Sequence, residues 1–386
     1  MASSNAAPKT DAKLMELSVD RNALLAEVTV AARISETKTT QPILAHLLLE
    51  ASADGILRIS TTDLTRSLKT ECPAQVEVAG TAAVPAQQFL DYLKLLPNGP
   101  VQFKILANSH LQVNAGSSRT RMPGRAPSEF PKVPTPSGRS IGMSCRVLRT
   151  LVRQSLFAVS TGDDRYLLRA ALLLLRPDRA GMVATDGHRL SFVVIPEDGI
   201  AVESVQKSLI PRECLTDLLA LLSATKEERL EFSEDETNLF FRIGTRQLSV
   251  RKLVGQFPNY EGVMPTDLPN STVVRSADLL SSIQRVLEFA DARSNGVKIR
   301  LAENTLTISS STPELGESEE TLAVSYSNEP ITIGFNGSYL VEFLRTIGEK
   351  GAMRLSLKDA NTAGVLVPES MNLEYQQRYV VMPMRI

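Results

Sequence analysis

Three stretches of this chain repeat one spacing of apolar side chains. In each stretch apolar residues occupy positions i, i+3, i+4 and i+7, the spacing that forms a single stripe along an α-helix. The stripes are Phe89, Tyr92, Leu93 and Leu96; then Leu215, Leu218, Leu219 and Leu222; then Leu340, Phe343, Leu344 and Ile347. Because the predicted helices recur at nearly equal intervals, the pattern predicts three copies of one domain.

A second type of amphipathic helix precedes each of the first three. Its apolar positions are Leu24, Leu25 and Val28; then Val147, Leu148, Leu151 and Val152; then Leu279, Leu280, Ile283, Val286 and Leu287. Between the two helices of each copy, short alternating segments such as Ile56–Ser60 and Ser191–Ile195 predict strands. Each copy is therefore predicted to be a sheet with two helices on one face, which is the α+β class. The order also suggests that each copy is doubled internally, as helix plus strands twice.

Two proline-rich breaks separate the copies, one over Pro127–Pro136 and one over Pro258–Pro269. Since proline fixes φ and lacks a backbone donor, such stretches connect elements. We therefore place domain boundaries near 138 and 270. The predicted domains are 14–138, 139–270 and 271–386. Residues 1–13 lack the apolar stretch of a signal peptide and are predicted to be a disordered tail.

Composition excludes several classes of protein. The formal net charge of −1 gives no overall basic field, so any nucleic-acid surface must come from local segregation of charge. The three cysteines, Cys72, Cys145 and Cys214, are scattered, which favours buried inert thiols in a reducing cytoplasm. The phosphate-binding, serine-hydrolase and zinc-protease motifs do not occur, and neither a cofactor nor a metal is predicted.

One pair of side chains could support catalysis. Asp186 and His188 lie close together in the sequence and could act as an acid and a base. The alternative is a tight turn, in which the Asp186 carboxylate accepts bonds from its own backbone and Gly187 adopts a positive φ. We favour the turn, since no motif places a nucleophile beside the pair. Residues 62–64 occupy the corresponding place in the first copy, and the third copy has no clear counterpart.

Basic residues dominate the outer face of one predicted helix. Arg146, Arg149 and Arg153 fall within about 60° of one another on a helical wheel, opposite the apolar stripe. Such a face suits contact with a phosphate backbone, although an ordinary solvated face is an equal alternative. Arg285 also lies opposite its stripe in the third copy. The later helix of each copy instead carries an acid on its predicted polar face, namely Asp91, Asp217 and Glu342.

The segment 379–386 forms a second candidate surface. Tyr379–Val381 is predicted to be a strand that closes a sheet, whereas Met382–Ile386 runs past that strand. Two methionines around a proline make a polarizable patch suited to an extended apolar peptide. The alternative is that the whole segment belongs to the strand.

Three motifs, together with the triplication, resemble a known family. ATDGHRLS (184–191), FPNY (257–260) and YVVMPMRI (379–386) resemble the bacterial DNA polymerase III beta subunit, the beta sliding clamp. The resemblance implies three similar domains per chain, two chains closed head to tail into a ring around duplex DNA without sequence specificity, and no catalytic activity. The implied partners are the catalytic subunit of DNA polymerase III, an ATP-driven clamp loader and other proteins with the clamp-binding motif.

The resemblance also implies site residues. A partner-binding groove between the second and third domains would use Leu168, Thr185, Gly187, His188, Arg189, Leu190, Pro258, Val263, Val380, Met382, Pro383 and Met384, bordered by Arg385 and Ile386. Apolar side chains of a partner would fill its Leu and Met surface, and Thr185, His188 and Arg189 would hold the peptide backbone. The implied DNA-facing residues are Lys38, Arg146, Arg149, Arg153, Tyr166 and Arg285. The implied dimer-interface residues are Met122 and Arg293. Two departures are Ile386, where relatives carry leucine, and Gly262, where relatives are often basic.

Helix dimensions favour two chains per ring. Six helices spaced about 9 Å apart leave a hole of about 7 Å, narrower than the major groove of about 12 Å, whereas twelve helices leave about 24 Å. This comparison takes every helix to line the hole, as the resemblance implies. Two other functions stay open on the sequence: an enzyme that uses Asp186 and His188, and an assembly scaffold that has a peptide groove but does not encircle DNA.

Overall fold

The computed structural model describes residues 14–36, 39–106, 108–162, 166–348, 351–369 and 374–386. Within these ranges one pattern occurs six times: a strand, a helix and then three strands in succession. A short additional strand, Gln75–Val78, follows the first set. The predicted internal doubling of each copy is therefore confirmed. The predicted tail, 1–13, lies outside the described residues.

The described residues form helices and strands in three successive groups. The first group is β1 (Glu16–Asp20), α1 (Arg21–Ala32), β2 (His46–Ser52), β3 (Ile56–Thr62), β4 (Arg66–Pro73), β5 (Gln75–Val78), β6 (Gly80–Pro85), α2 (Ala86–Leu95), β7 (Pro100–Ile105), β8 (Leu111–Ala115) and β9 (Ser118–Met122). The second is β10 (Ile141–Ser144), α3 (Cys145–Ser155), β11 (Ala170–Arg176), β12 (Arg179–Thr185), β13 (Arg189–Pro196), β14 (Gln206–Pro211), α4 (Arg212–Ala224), β15 (Arg229–Glu234), β16 (Asn238–Ile243) and β17 (Arg246–Arg251). The third is β18 (Asn270–Arg275), α5 (Ser276–Leu287), β19 (Gly296–Ala302), β20 (Thr305–Thr312), β21 (Gly316–Ala323), β22 (Ile331–Asn336), α6 (Gly337–Ile347), β23 (Ala352–Leu357), β24 (Gly364–Glu369) and β25 (Gln376–Val381). Short 3-10 helices occur at Pro42–Ala45, Pro127–Glu129, Leu156–Ala158, Tyr166–Arg169 and Glu261–Val263.

Each predicted apolar stripe lies on the buried side of a helix. Leu24 and Val28 of α1 are fully buried, as are Leu340 and Phe343 of α6 to within 1%. Side-chain caps fix where these helices begin. The Asp20 carboxylate accepts hydrogen bonds of 2.9 Å from two backbone amides of α1. The Asn336 side chain accepts hydrogen bonds of 2.9 and 3.4 Å from two backbone amides of α6. Such caps satisfy amide groups that a helix start leaves without a partner.

One expectation about α4 is wrong. The sequence places Asp217 on the polar face, but its side chain is buried, with only 6% exposed. Cys214 and Leu221, one turn before and after it, are also buried, so the apolar face of α4 is wider than the predicted stripe. Asp217 falls at the margin of that wider face because residues three and four apart share one side of a helix.

The chain forms two compact units. The first contains the described residues up to 140 together with 230–251, and the second contains the described residues within 141–229 and 252–386. In the first unit neighbouring strands follow the orders β5-β1-β7-β8-β9 and β15-β16-β17-β4-β3-β2-β6. In the second unit they follow the orders β14-β11-β12-β13-β25-β24-β23-β18 and β21-β20-β19-β22.

Two antiparallel strand pairs join successive copies of the repeat. β4 pairs with β17, with Leu68 opposite Leu248, and β13 pairs with β25, with Leu190 opposite Val380. In both cases the last strand of one three-stranded meander meets the last strand of another. Because β17 of the middle group pairs with β4, it belongs to the first compact unit. The compact units therefore do not coincide with the domain boundaries near 138 and 270, which stay predictions.

Aromatic rings fill part of the core of the second unit. The rings of Phe343 and Tyr379 stack with centroids 4.3 Å apart, and Phe157 contacts both at 6.1 and 5.4 Å. Tyr379 is fully buried, and its hydroxyl donates a hydrogen bond of 2.8 Å to the carbonyl of Tyr339. The one polar atom of this ring is thus satisfied inside the apolar core.

The three cysteines are buried thiols, as predicted. Burial, with the nearby Glu27 and Glu71 carboxylates, raises the pKa of the Cys72 thiol to about 12. The thiol therefore stays protonated near neutral pH, which makes it a poor nucleophile. None of the helices in the described ranges combines the length and the apolar character that crossing a bilayer requires.

Candidate functional site

The segment Thr185–Arg189 is a tight turn between β12 and β13. The Asp186 carboxylate accepts hydrogen bonds from the backbone amides of His188 and Arg189, at 2.9 and 3.1 Å. The Thr185 hydroxyl donates to the carbonyl of Arg189 at 2.6 Å and accepts from the amide of Gly187 at 3.0 Å. Gly187 has a φ of +90°. The predicted turn is confirmed, and its hydrogen bonds occupy the carboxylate that a catalytic pair would need.

Arg189 is the buried anchor of this turn, with 8% of its surface exposed. Its Nε lies 3.0 Å from the Asp186 carboxylate, its Nη1 lies 2.8 Å from Glu342, and its Nη2 donates to the carbonyl of Phe157 at 2.7 Å. The guanidinium also lies 4.3 Å from the ring centroid of Tyr339. Burial alone would lower the pKa of Arg189, but the neighbouring Tyr379 and Glu342 side chains raise it, so the group stays charged.

These contacts correct one expectation about the groove. The sequence assigns Thr185 and Arg189 to holding a peptide backbone, but both side chains are buried and bonded within the protein. Their side chains shape the turn from inside. The residues that the turn exposes at the surface are Gly187 and His188. His188 alone of the three polar side chains assigned to the peptide is free to reach it.

The first unit contains a second copy of this turn at Thr62–Arg66. Asp63 accepts bonds from the amides of Thr65 and Arg66 at 2.9 and 2.6 Å, and Leu64 adopts a φ of +73° where the other turn has glycine. In each case a segment that lies later in the chain donates a backbone hydrogen bond to the turn. The amide of Arg251 donates to the Thr65 carbonyl at 2.9 Å, just as the amide of Met382 donates to the His188 carbonyl at 2.8 Å. The correspondence predicted from the sequence is therefore confirmed.

An apolar floor lies beside the turn in the second unit. Leu190 and Val380, opposite each other on β13 and β25, are both buried in one cluster of apolar side chains. The buried members of that cluster are Ala170, Leu172, Leu174, Val183, Leu190, Leu209, Phe257, Ala363, Val365 and Val380. Phe257 and Val365 were not among the predicted groove residues. The FPNY motif points to Phe257, whereas nothing local marks Val365, which joins the floor through the β24–β25 pairing.

Several predicted groove residues outside this floor are exposed, and they are called the rim below. Val263 and Met382 are 56% and 48% exposed, which is unusual for side chains of their size. Pro258 is exposed, Pro383 and Met384 are half-buried, and Leu168 is buried. Apart from Thr185 and Arg189, the predicted groove residues thus divide into buried side chains, such as Leu190 and Val380, and exposed ones, such as Val263 and Met382.

The segment Met382–Ile386 leaves the sheet, as predicted, because β25 ends at Val381. Its backbone is held at two points. The amide of Met382 donates to His188, and the amide of Met384 donates to the carbonyl of Gly334 on β22 at 2.9 Å. Arg385 and Ile386 are exposed.

The candidate DNA-facing arginines of α3 differ in their contacts. Arg146 forms an ion pair with Glu374. Arg149 is half-buried, and its guanidinium donates to the carbonyl of Leu222 on α4 at 3.3 Å. Arg153 is exposed. All three lie on the side of the helix away from Leu148 and Leu151, which are fully buried.

The remaining DNA candidates are placed as follows. Arg285 on α5 forms a two-point ion pair with Glu320 on β21, at 2.6 and 2.8 Å, so part of its charge is offset. Tyr166 is 57% exposed at the start of a 3-10 helix. Lys38 lies outside the described residues.

The two predicted interface residues have contrasting surroundings. Met122, the last residue of β9, is only 1% exposed and belongs to the core of the first unit. It does not present the surface that the sequence assigned to it, because its side chain faces inward while its neighbours on the strand face outward. Arg293 is exposed, and its amide donates to Asp291 at 3.1 Å.

Oppositely charged side chains lie on two edge strands. Arg119 and Arg121 are exposed on β9, and both guanidinium groups donate to Gln112, at 3.0 and 3.4 Å. Glu317 and Glu319 are exposed on β21. Each pair is two residues apart, so both members of a pair lie on one face of their strand. Among the described residues no three His, Cys, Asp or Glu side chains meet in a way that would hold a metal ion.

Models of one protein family match nearly the whole chain. The DNA polymerase III beta subunit N-terminal domain matches residues 15–134, the central domain matches 143–259 and the C-terminal domain matches 261–385. The beta sliding clamps of Vibrio cholerae and Proteus mirabilis are 29% and 30% identical to this chain, over 96% of it and 100% of each relative. The chain belongs to the DNA polymerase III beta subunit family.

A solved structure of a family member agrees with this assignment. The DnaN sliding clamp of Pseudomonas aeruginosa, bound to griselimycin, matches with a TM-score of 0.89 and 28% identity, over 96% of this chain and 100% of that one. The resemblance, the α+β fold of three clamp domains and the function of a DNA sliding clamp are thus confirmed. Sliding clamps are processivity factors without catalytic activity, so this chain is not an enzyme.

Proposed function

We propose that two copies of this chain close head to tail into a cytoplasmic ring, with duplex DNA passing through it without sequence recognition. Each copy contributes three tandem domains with boundaries near 138 and 270. The apolar groove around Leu190 and Val380 would hold the catalytic subunit of DNA polymerase III, the clamp loader and other proteins with the clamp-binding motif.

The proposed ring rests on two strands, β9 and β21, that stand at the edges of their sheets. Six meanders occur in the described chain: β2-β3-β4, β7-β8-β9, β11-β12-β13, β15-β16-β17, β19-β20-β21 and β23-β24-β25. Four of them are joined in pairs through their last strands, by β4 with β17 and by β13 with β25. Within the described residues, β9 and β21 have a strand neighbour on one side only. A third junction of the same kind, between β9 of one copy and β21 of another, would use both edges.

Charge supports this third junction. The exposed arginines of β9 and the exposed glutamates of β21 attract each other, and an exposed strand edge is a ready partner for another strand. Because β9 and β21 are different surfaces, their contact is heterologous, and two copies close a ring only if two such contacts complete a circle. In place of the buried Met122 we therefore propose Arg119 and Arg121 as interface residues. Arg293 keeps its proposed place at the interface.

The groove is supported by its combination of a buried floor and an exposed apolar rim. Exposed Met and Val side chains around a sheet junction offer surface that a partner's apolar side chains can cover. A few such anchors give modest affinity, which allows partners to exchange. His188 is the polar group that we propose meets the peptide backbone, together with the rim residues Gly187, Pro258 and Val263. Arg385 and Ile386 would border the site.

DNA contact through α3, α5 and the 3-10 helix Tyr166–Arg169 remains a proposal. Arg146, Arg149, Arg153, Tyr166, Arg285 and Lys38 would face the phosphate backbone. Since Arg146 and Arg285 are paired with Glu374 and Glu320, DNA would have to compete with those carboxylates. The contact is therefore expected to be weak and salt-sensitive, which suits a ring that slides.

Truncation after Val381 tests the groove. Removing Met382–Ile386 takes away the exposed Met382 and the residues after it but neither β9 nor β21, so we expect loss of partner binding with an unchanged dimer. Binding is measured by fluorescence anisotropy with a labelled peptide carrying the clamp-binding motif of the polymerase III catalytic subunit. Mass is measured by sedimentation. We expect two chains per particle for both proteins, which is twice 42.1 kDa for the full chain.

The outcomes separate the two parts of the proposal. A truncated protein that binds the peptide as tightly as the full chain would show that Met382–Ile386 does not form part of the groove. A truncated protein that sediments as a single chain would show that the groove and the ring contact overlap. His110→Ala, a change in the first unit, serves as the control and should bind the peptide normally, whereas His188→Ala should bind it several-fold more weakly.

A further inference from the structure

A bare patch of sheet lies beneath the segment Met382–Ile386. Gly334 on β22 pairs with Lys298 on β19, and Gly296 lies two residues before Lys298, so both glycines are on one face of the sheet. Val297 and Phe335, on the opposite face, are fully buried in the core. The two glycines thus leave the outward face of this strand pair without side chains at two neighbouring positions.

The side chain of Ile386 covers this patch. A Cβ added at Gly334 would lie 2.5 Å from the carbonyl oxygen of Met384 and 2.7 Å from Cδ1 of Ile386. A Cβ added at Gly296 would lie 3.2 Å from the same Cδ1. Neither glycine has a positive φ, so close approach and not backbone conformation explains why glycine stands here. Gly296 is buried although it faces outward, which fits a covering side chain.

The patch determines the position of the segment Met382–Ile386, which forms part of the rim of the groove. Between its two backbone hydrogen bonds the segment contains Pro383, which has no amide hydrogen to donate. The anchor at Gly334 and the packing of Ile386 therefore hold the far end of the segment. If that end moves, the half-buried Pro383 and Met384 move with it.

We propose that Gly334, assisted by Gly296, is a positioning residue for partner peptides: it seats the segment 382–386 and so fixes one wall of the groove. Neither glycine needs to touch the peptide. The role presupposes the groove function proposed above for the same segment. It also gives Ile386 a defined packing site.

The variant Gly334→Ala tests this role. The new methyl group must displace the Met384 carbonyl, and we expect the labelled clamp-binding peptide to bind about tenfold more weakly, the effect of losing one anchor of an interface. The sedimentation mass should stay that of two chains, because β22 lies at the opposite edge of its sheet from β21. Gly142→Ala is the matched control. A Cβ at Gly142 would meet only the Arg229 side chain, at 3.2 Å. The affinity of this variant for the peptide should stay within about twofold of that of the unchanged protein.

A second variant separates positioning from damage to the sheet. Ile386→Gly leaves β22 untouched, and it should weaken peptide binding by a similar factor because the segment loses its seat. In the double variant the two losses should not multiply, since both act through one displacement. Gly334→Ala binding as tightly as the unchanged protein, or two losses that multiply, would overturn the role. If the unchanged protein itself fails to bind the peptide, the groove function has failed instead.

Discussion

At the residue scale, one buried guanidinium links the turn beside the groove to the last helix. Arg189 contacts Asp186 in its own turn and Glu342 on α6, and it lies over the ring of Tyr339. A buried charge is tolerated only while its partners remain, because removing one partner leaves charge without compensation. The sequence motif ATDGHRL thus encodes a structural lock, and the exposed His188 is presented by that lock.

Asp186→Ala should destabilise the protein through this lock. The change removes an ion pair and two backbone hydrogen bonds, and we expect the free energy of unfolding in urea to fall by about 2–4 kcal/mol. Asp178→Ala is the control, since Asp178 forms an exposed ion pair with Arg179 and its loss should leave the urea midpoint unchanged. Equal urea midpoints for both variants would contradict the lock.

At the element scale, the sequence predicts what depends on local pattern and misses what depends on distant pairing. The helix stripes and the strands such as β3 and β13 follow from spacing alone. The pairing of β4 with β17, which places part of the middle group in the first compact unit, leaves no local signal. The pairing of Arg285 with Glu320 on another element also leaves no local signal, so the sequence assigned Arg285 to DNA without that partner. The sequence likewise assigned Met122 to an interface, although the side chain faces inward from β9.

Reversing the charges of one edge strand should open the ring. In Arg119→Glu/Arg121→Glu, β9 would present acids to the acidic β21, and like charges opposed across an interface cost several kcal/mol. We expect sedimentation as a single chain at micromolar concentration, where the unchanged protein sediments as two. Adding Glu317→Arg and Glu319→Arg to the same chain should restore the dimer.

The control for the edge is a charge on an interior strand of the sheet that contains β21. Arg300→Glu on β19 should leave the dimer intact, since β19 has strand neighbours on both sides. A dimer that survives the double reversal in β9 would show that the chains meet elsewhere.

At the scale of the whole molecule, the function depends on closure and not on chemistry at a site. A net charge of −1 gives no general attraction to DNA, so the proposed ring would hold DNA by topology, with local basic faces that only permit sliding. The sequence supplies this conclusion through the triplicated pattern and the family motifs. The two edge strands that would close the ring become apparent only once the sheet order is known.

Retention on circular DNA tests topological closure most directly. The protein is loaded onto nicked circular duplex DNA with a clamp loader and ATP, isolated by gel filtration in high salt, and the circle is then cut once by a restriction enzyme. We predict that the protein stays with the closed circle and leaves the DNA after cutting. Equal retention on the cut and uncut DNA would contradict encirclement, and so would release from the intact circle by salt alone.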